Sequence, residues 1–183
     1  MDTARIATVE RFAQRIPFTR PATATWDQVG SALHRFLAAD SFDEGDNDRV
    51  DLARRILASE GLDAAFEAVH LVSASDSLRA FVERRWPDAR WHREVAISAA
   101  IDTADGARMI QGVIDLLLET SSGVVVVDHK SFPGRFSEWP ERALEYAPQL
   151  QVYALGLRTA GYTVQSSWIH FTVGGGAVEV ANA

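Results

Sequence analysis

The segment Val124-Val125-Val126-Val127-Asp128-His129-Lys130-Ser131 reads as a buried strand that ends in charge. Lys130 is the only lysine of the chain; apart from histidine, every other basic side chain is arginine. Residues two apart on a strand point to the same face, so Asp128 and Lys130 emerge side by side where the strand leaves the core. Upstream, Gly112-Val113-Ile114-Asp115 sets a second aspartate inside another apolar run. A carboxylate, then a strand carrying carboxylate-x-lysine, suits metal-dependent hydrolysis of a phosphodiester. Taken alone, Asp128 and Lys130 suit a salt bridge equally well, because buried charges are paired.

Outward from this strand, Ser121-Ser122-Gly123 turns the chain back from a strand over 109–119. Asp105-Gly106 signals a hairpin between that strand and one over 91–100. Downstream, the pattern predicts a long helix over about 140–159 ended by Gly161, then a strand over 163–173. A turn at Gly174-Gly175-Gly176 precedes a short strand over 177–180. Upstream, Trp26, Val29, Leu33, Phe36 and Leu37 fall on one stripe of a helix over 26–39, with Thr25 as its N-cap. An acidic loop over 40–48 leads to helices over 50–57, 62–69 and 75–86, the last stopped by Pro87. Residues 1–22, with Pro17 and Pro21, read as an N-terminal arm. Residues 23–183 read as one domain, with a helical part over 23–88 and a catalytic core over 89–183.

Bulk composition narrows the class. A chain of 183 residues is long enough for one substantial core, and 47% hydrophobic with 23% charged residues is ordinary for a globular protein. The absence of cysteine excludes disulfides, thiolate zinc sites and cysteine-ligated iron–sulfur clusters. It fits a reducing compartment, and a cytoplasmic location is expected. No apolar leader follows Met1, and no stretch approaches the length of a membrane span. The formal net charge of −7 is the wrong sign for unaided capture of nucleic acid.

Asp115 and Asp128 lie on consecutive strands joined by a tight turn and can be neighbours. Two carboxylates about 4 Å apart repel by roughly 4 kcal/mol at an effective dielectric near 20. Either one takes up a proton or a cation sits between them. Mg²⁺ prefers such oxygen ligands and keeps several waters, which makes hydrolysis accessible.

These residues resemble a known family. Gly112-Val113-Ile114-Asp115, Val127-Asp128-His129-Lys130 and Gln149-Leu150-Gln151-Val152-Tyr153 look like motifs II, III and Q-x-x-x-Y of the PD-(D/E)xK nucleases, and the RecB/AddA-type exonuclease is the nearest branch. Gly30-Ser31-Ala32-Leu33-His34 resembles the G-x-x-x-H helix of that branch. The resemblance implies an α/β, restriction-endonuclease-like fold: a mixed central sheet flanked by helices, here with a helical N-terminal part. It implies Asp115 and Asp128 as metal ligands, joined by His34 and the backbone carbonyl of His129, with Mg²⁺ as cofactor and Mn²⁺ able to substitute. Lys130 becomes the catalytic lysine; Gln149 and Tyr153, one turn apart on a helix, brace the site or touch the DNA backbone. Glu94 matches an acidic position often found on the first strand. The implied activity is DNA hydrolysis by the exonuclease module of a recombination-repair helicase–nuclease, with DNA and helicase domains as partners.

His129 stands where tyrosine is common, and the missing cysteines separate the chain from iron–sulfur relatives. No G-x-x-x-x-G-K-[ST] is present. Two other readings are a catalytically weak or inactive module that docks DNA or a partner, and a stand-alone nuclease of phage or CRISPR type. Read singly, His34 suits a core-edge histidine, and Gln149 and Tyr153 suit a polar helix edge. Trp139 is a candidate to stack a base, and Arg135 and Arg142 are candidates to meet phosphate.

Overall fold

The computed structural model describes residues 3–19, 24–103 and 106–183, with the side chains of 101–103, 107 and 108 left aside. Six strands form one sheet in the order β1-β6-β5-β4-β3-β2. They are β1 (Arg5–Arg11), β2 (Arg90–Thr103), β3 (Gly106–Thr120), β4 (Gly123–Lys130), β5 (Val164–Phe171) and β6 (Gly176–Ala181). Only β4 and β5 pair in parallel; the other neighbours are antiparallel. The fold is a mixed sheet flanked by helices, consistent with a restriction-endonuclease-like architecture.

β4 is central, and its valines explain why. Val124 and Val126 pack with Trp139, Leu150 and Leu157 on one face, while Val125 and Val127 pack with Leu78, Phe81 and Trp168 on the other. A strand covered on both faces needs an unbroken apolar run. The first face is covered by α4 (Trp139–Glu145) and α5 (Ala147–Thr159), the crossover between β4 and β5. The second is covered by α1 (Trp26–Ala39) and α3 (Ala68–Arg85), which enclose a further cluster with α2 (Asp46–Ser59). α1 has the expected bounds, and Thr25 and Gln28 cap it reciprocally.

Four local readings differ from the structure. The stretch 1–22 is no plain arm: Arg5–Arg11 is an edge strand on β6. A bulge between Ile6 and Thr8 sets Ile6 and Val9, three apart, against the same apolar cluster, which hides the period-two signal. The acidic stretch 40–48 is shorter as a loop, because α2 starts at Asp46 and carries Asp46 and Asp48 in its first turn. The helix expected over 62–69 is a turn. Gly61, at φ +68°, ends α2, and the amides of Gly61 and Leu62 close on the carbonyls of Ala58 and Leu57. The long helix over 140–159 breaks at Tyr146, where Pro148 removes a backbone donor and crowds the preceding turn. Of the expected β2–β3 turn, Asp105 lies outside the described residues; Thr103 pairs with Gly106.

Candidate active site

β3 and β4 are paired from Thr120–Gly123 up to Leu116–Val127, and the ladder stops there. One step further stand Asp115 and Asp128. At this fork the backbone amide of His129 has no ladder carbonyl and donates instead to Asp115 Oδ2 at 2.7 Å. A side chain thus satisfies a backbone donor left by strand separation, which fixes the Asp115 carboxylate against β4.

His34 comes from α1 and closes the site on one side. Its Nε2 lies 2.8 Å from the carbonyl oxygen of His129, and its Nδ1 lies 3.3 Å from Asp115 Oδ1. Burial works to lower the His34 pKa, but the hydrogen bond and charge of Asp115 outweigh it and raise the value. Burial likewise works to raise Asp115, but His34 and its own hydrogen bonds win and hold it below the usual carboxylate range. Gly30, one turn before His34, lines the same cleft of about 500 Å³ as His34, His129, Lys130 and Ser131.

Asp128 is 1% exposed. Burial pushes its pKa up to about 6, opposed by Lys130 and assisted by the negative charge of Asp115. Lys130 Nζ is 2.5 Å from Asp128 Oδ2 in an ion pair, and that buried oxygen has no other partner among the described residues. The same ammonium donates to Gln149 Oε1 at 3.1 Å, and Gln149 Nε2 donates to Tyr153 OH at 2.7 Å. The break at Tyr146 starts α5 afresh, and Gln149 and Tyr153 then meet Lys130 from one helix face. The Tyr146 ring also sits 4.9 Å from Nζ.

Asp115, Asp128, Lys130, His34, the His129 carbonyl, Gln149 and Tyr153 therefore gather at one place. Glu94 stands across from Asp115 in the β2–β3 register, at a break in the bridge sequence, with a strained φ of +53°. Its carboxyl pKa is raised by partial burial and then by the charge of Asp115. It makes no hydrogen bond within the site among the described residues. Trp139 does not stack a base: it is 1% exposed and packs on Phe171. Arg142 is taken up by Glu145 and by the Phe132 and Tyr146 rings. Two features escaped the sequence. A Cβ on Gly112 would lie 2.9 Å from Tyr153 Cε1, so this glycine makes room for the tyrosine. The buried His129 and His170 rings face each other, Nδ1 to Nδ1 at 3.0 Å across the parallel β4–β5 register.

The donor set suits a hard divalent cation. The buried Asp128 carboxylate, the Asp115 carboxylate, the His34 imidazole and a backbone carbonyl face one region. Among the described residues, no three histidine, aspartate or glutamate side chains converge as a ready-made cage. No helix among the described residues is long and apolar enough to cross a membrane.

The chain is similar to the crystal structure of SSO0001, at 12% identity and a TM-score of 0.35, with 82% of this chain and 62% of that chain covered. No curated protein matches it. The family model described as the PD-(D/E)XK nuclease superfamily matches residues 7–180, from β1 to β6 and across the whole fork. The chain belongs to the PD-(D/E)XK nuclease superfamily.

Proposed function

We propose that the chain is a divalent-metal-dependent deoxyribonuclease with Mg²⁺ as its metal, and that it serves as the exonuclease module of a RecB/AddA-type helicase–nuclease. The observation that carries the hydrolytic reading is the fork: buried Asp128 paired with Lys130, and Asp115 fixed against the His129 amide. The RecB/AddA assignment is supported by the set His34, Asp115, Asp128-x-Lys130 and Gln149-x-x-x-Tyr153 together with the absence of cysteine. The helicase context is supported by the net charge of −7, which leaves a motor to grip the DNA.

In this mechanism Asp115, Asp128, His34 and the His129 carbonyl would hold the cation. When bound, the cation supplies Lewis acidity, polarising the scissile phosphate and lowering the pKa of an attacking water. Lys130, aimed by Gln149, neutralises charge that develops on the phosphoryl oxygens. Tyr153 holds Gln149 in turn. The water oxygen bonds to phosphorus as its proton passes to solvent; the ester oxygen leaves with the P–O electron pair and takes a proton from solvent.

The test is cleavage of end-labelled single-stranded DNA in Mg²⁺ or Mn²⁺ against EDTA, beside Lys130→Ala. Metal-dependent cutting reduced by a factor of about 100 or more in the variant is expected. Equal cutting by both proteins would remove Lys130 from the mechanism. No cutting together with no metal binding in calorimetry would overturn the nuclease reading.

A further inference from the structure

Three clefts follow one another along α1. The active-site cleft, lined by His34 and Arg35, adjoins a depression lined by the same two residues with Ala38, Ala39 and Glu94. Ala38 and Ala39 then line a third cleft of about 430 Å³ at the C-terminal end of the helix. From His34 to the end of α1 the rise is about 8 Å, so the third cleft is close to the catalytic fork without being part of it.

The third cleft holds a cation that makes no ion pair among the described residues, its nearest acting charge being that of Asp40. Arg93, on β2, is half-buried, and its guanidinium lies 5.2 Å from the Phe42 ring centre and 5.1 Å from that of Trp91. Its five N–H donors meet no acceptor and no carboxylate within ion-pair distance among the described residues. The neighbouring acids are engaged or peripheral. Asp40 is held by Arg49 through bonds of 2.8 and 2.7 Å, Glu83 is held by Arg79 at 2.7 Å, and Asp43 is exposed at the rim. Arg79 covers Phe42 as well, at 4.7 Å. Aromatic stacking orients Arg93 but leaves its donors unmet. A desolvated, unpaired charge is costly, and a planar guanidinium fork matches a phosphate.

We propose that this cleft is a phosphate subsite, in which Arg93 holds an interior backbone phosphate of the DNA strand whose scissile bond lies at the fork. The inference rests on the nuclease reading above. It makes the α1–β2 seam the path of the strand, and it supplies a local cation on a chain that is acidic as a whole.

The test uses the full chain in a Lys130→Ala background, which keeps the strand intact, with Arg93→Gln added. Binding of labelled single-stranded DNA is followed by fluorescence anisotropy over a range of salt. Losing one phosphate contact should reduce the slope of log K against log salt by about 0.7 and weaken binding several-fold at low salt. Replacing one interior phosphate at a time by a neutral methylphosphonate should find a single position at which the two proteins bind alike. A free nucleotide monophosphate that competes fully at micromolar concentration would instead assign the cleft to a small ligand and overturn the strand path. An unchanged slope and affinity would overturn the inference even where wild-type protein cuts DNA. No binding by the parent and no cutting by wild type would overturn it together with the nuclease reading. Thermal melting of Arg93→Gln provides the folding control: a packing role would lower the melting temperature and leave the salt slope alone.

Discussion

Gly112→Ala tests whether the chain of contacts behind Lys130 controls the chemistry. The added Cβ would sit 2.9 Å from Tyr153 Cε1. To regain ordinary contact, the ring must retreat by about 0.5–1 Å. Tyr153 is only 6% exposed and packs with Leu150 and Ile114, so the shift cannot be absorbed in solvent. It passes through the 2.7 Å Tyr153–Gln149 bond and the 3.1 Å Gln149–Lys130 bond to an ammonium 2.5 Å from Asp128. A misplacement of about 1 Å at reacting groups costs on the order of 100-fold in rate, while overpacking costs about 1–3 kcal/mol of stability. Steady-state cleavage at saturating metal should therefore show a kcat lowered about 10- to 100-fold in a protein that remains folded by circular dichroism. The decisive comparison is a double-mutant cycle with Tyr153→Ala. Without the ring, Gly112→Ala should add almost nothing to either loss. Losses that add fully would refute the coupling through Tyr153 and return Gly112 to an ordinary strand position.

Further outcomes follow from the buried charges. Asp40→Ala should destabilise the fold by about 3 kcal/mol in urea titration, because it leaves Arg49, 6% exposed, with only the exposed carboxylates of Asp76 at 2.7 Å and Asp46 at 3.8 Å as partners. A loss below 1 kcal/mol would mean that water reaches the site. Asp128 titrates near 6 in the fold against an ordinary 3.8, so protonation favours the native state. Its penalty is absent below pH 3.8 and is complete above pH 6. Metal-free Asp128→Asn should then be more stable at pH 7, by on the order of 3 kcal/mol, and should lack the thermal shift expected of wild type with Mn²⁺. The histidine pair works in the opposite direction. Burial lowers His129 to about 4 and His170 well below its ordinary value, so stability is lost as pH falls from 6.5 towards 4. His170→Leu should flatten that part of the melting-temperature profile; an unchanged slope would show that the pair takes up protons freely.

The family match over residues 7–180 includes β1, a segment whose sequence gives little warning of a strand. Where an element carries its own periodicity, the reading of the sequence and the structure agree. The valine run of β4, the apolar stripe of α1 with Thr25 as cap, and the β2–β3 hairpin are examples. Their signals are local: side-chain alternation, helical spacing and turn residues act over a few positions. The candidate ligands were legible for a related reason, since Asp128-x-Lys130 at a strand end and Gln149-x-x-x-Tyr153 on a helix each fix two side chains on one face.

What tertiary structure alone decided is nonlocal. An edge strand with a bulge exists because β6 offers partners to Ile6 and Val9, which no spacing within 1–22 announces. Whether the β3 and β4 aspartates meet depends on where the ladder opens, because only the unpaired His129 amide turns Asp115 inward. The room made by Gly112, the burial of Trp139 and the unpaired Arg93 depend on elements brought together from across the chain. Residue type and short-range phase are written in the sequence, and they mark which side chains are candidates for chemistry. Packing and desolvation decided which of them are within reach of one another and which charges lack a partner, because both depend on contacts between residues far apart in the chain.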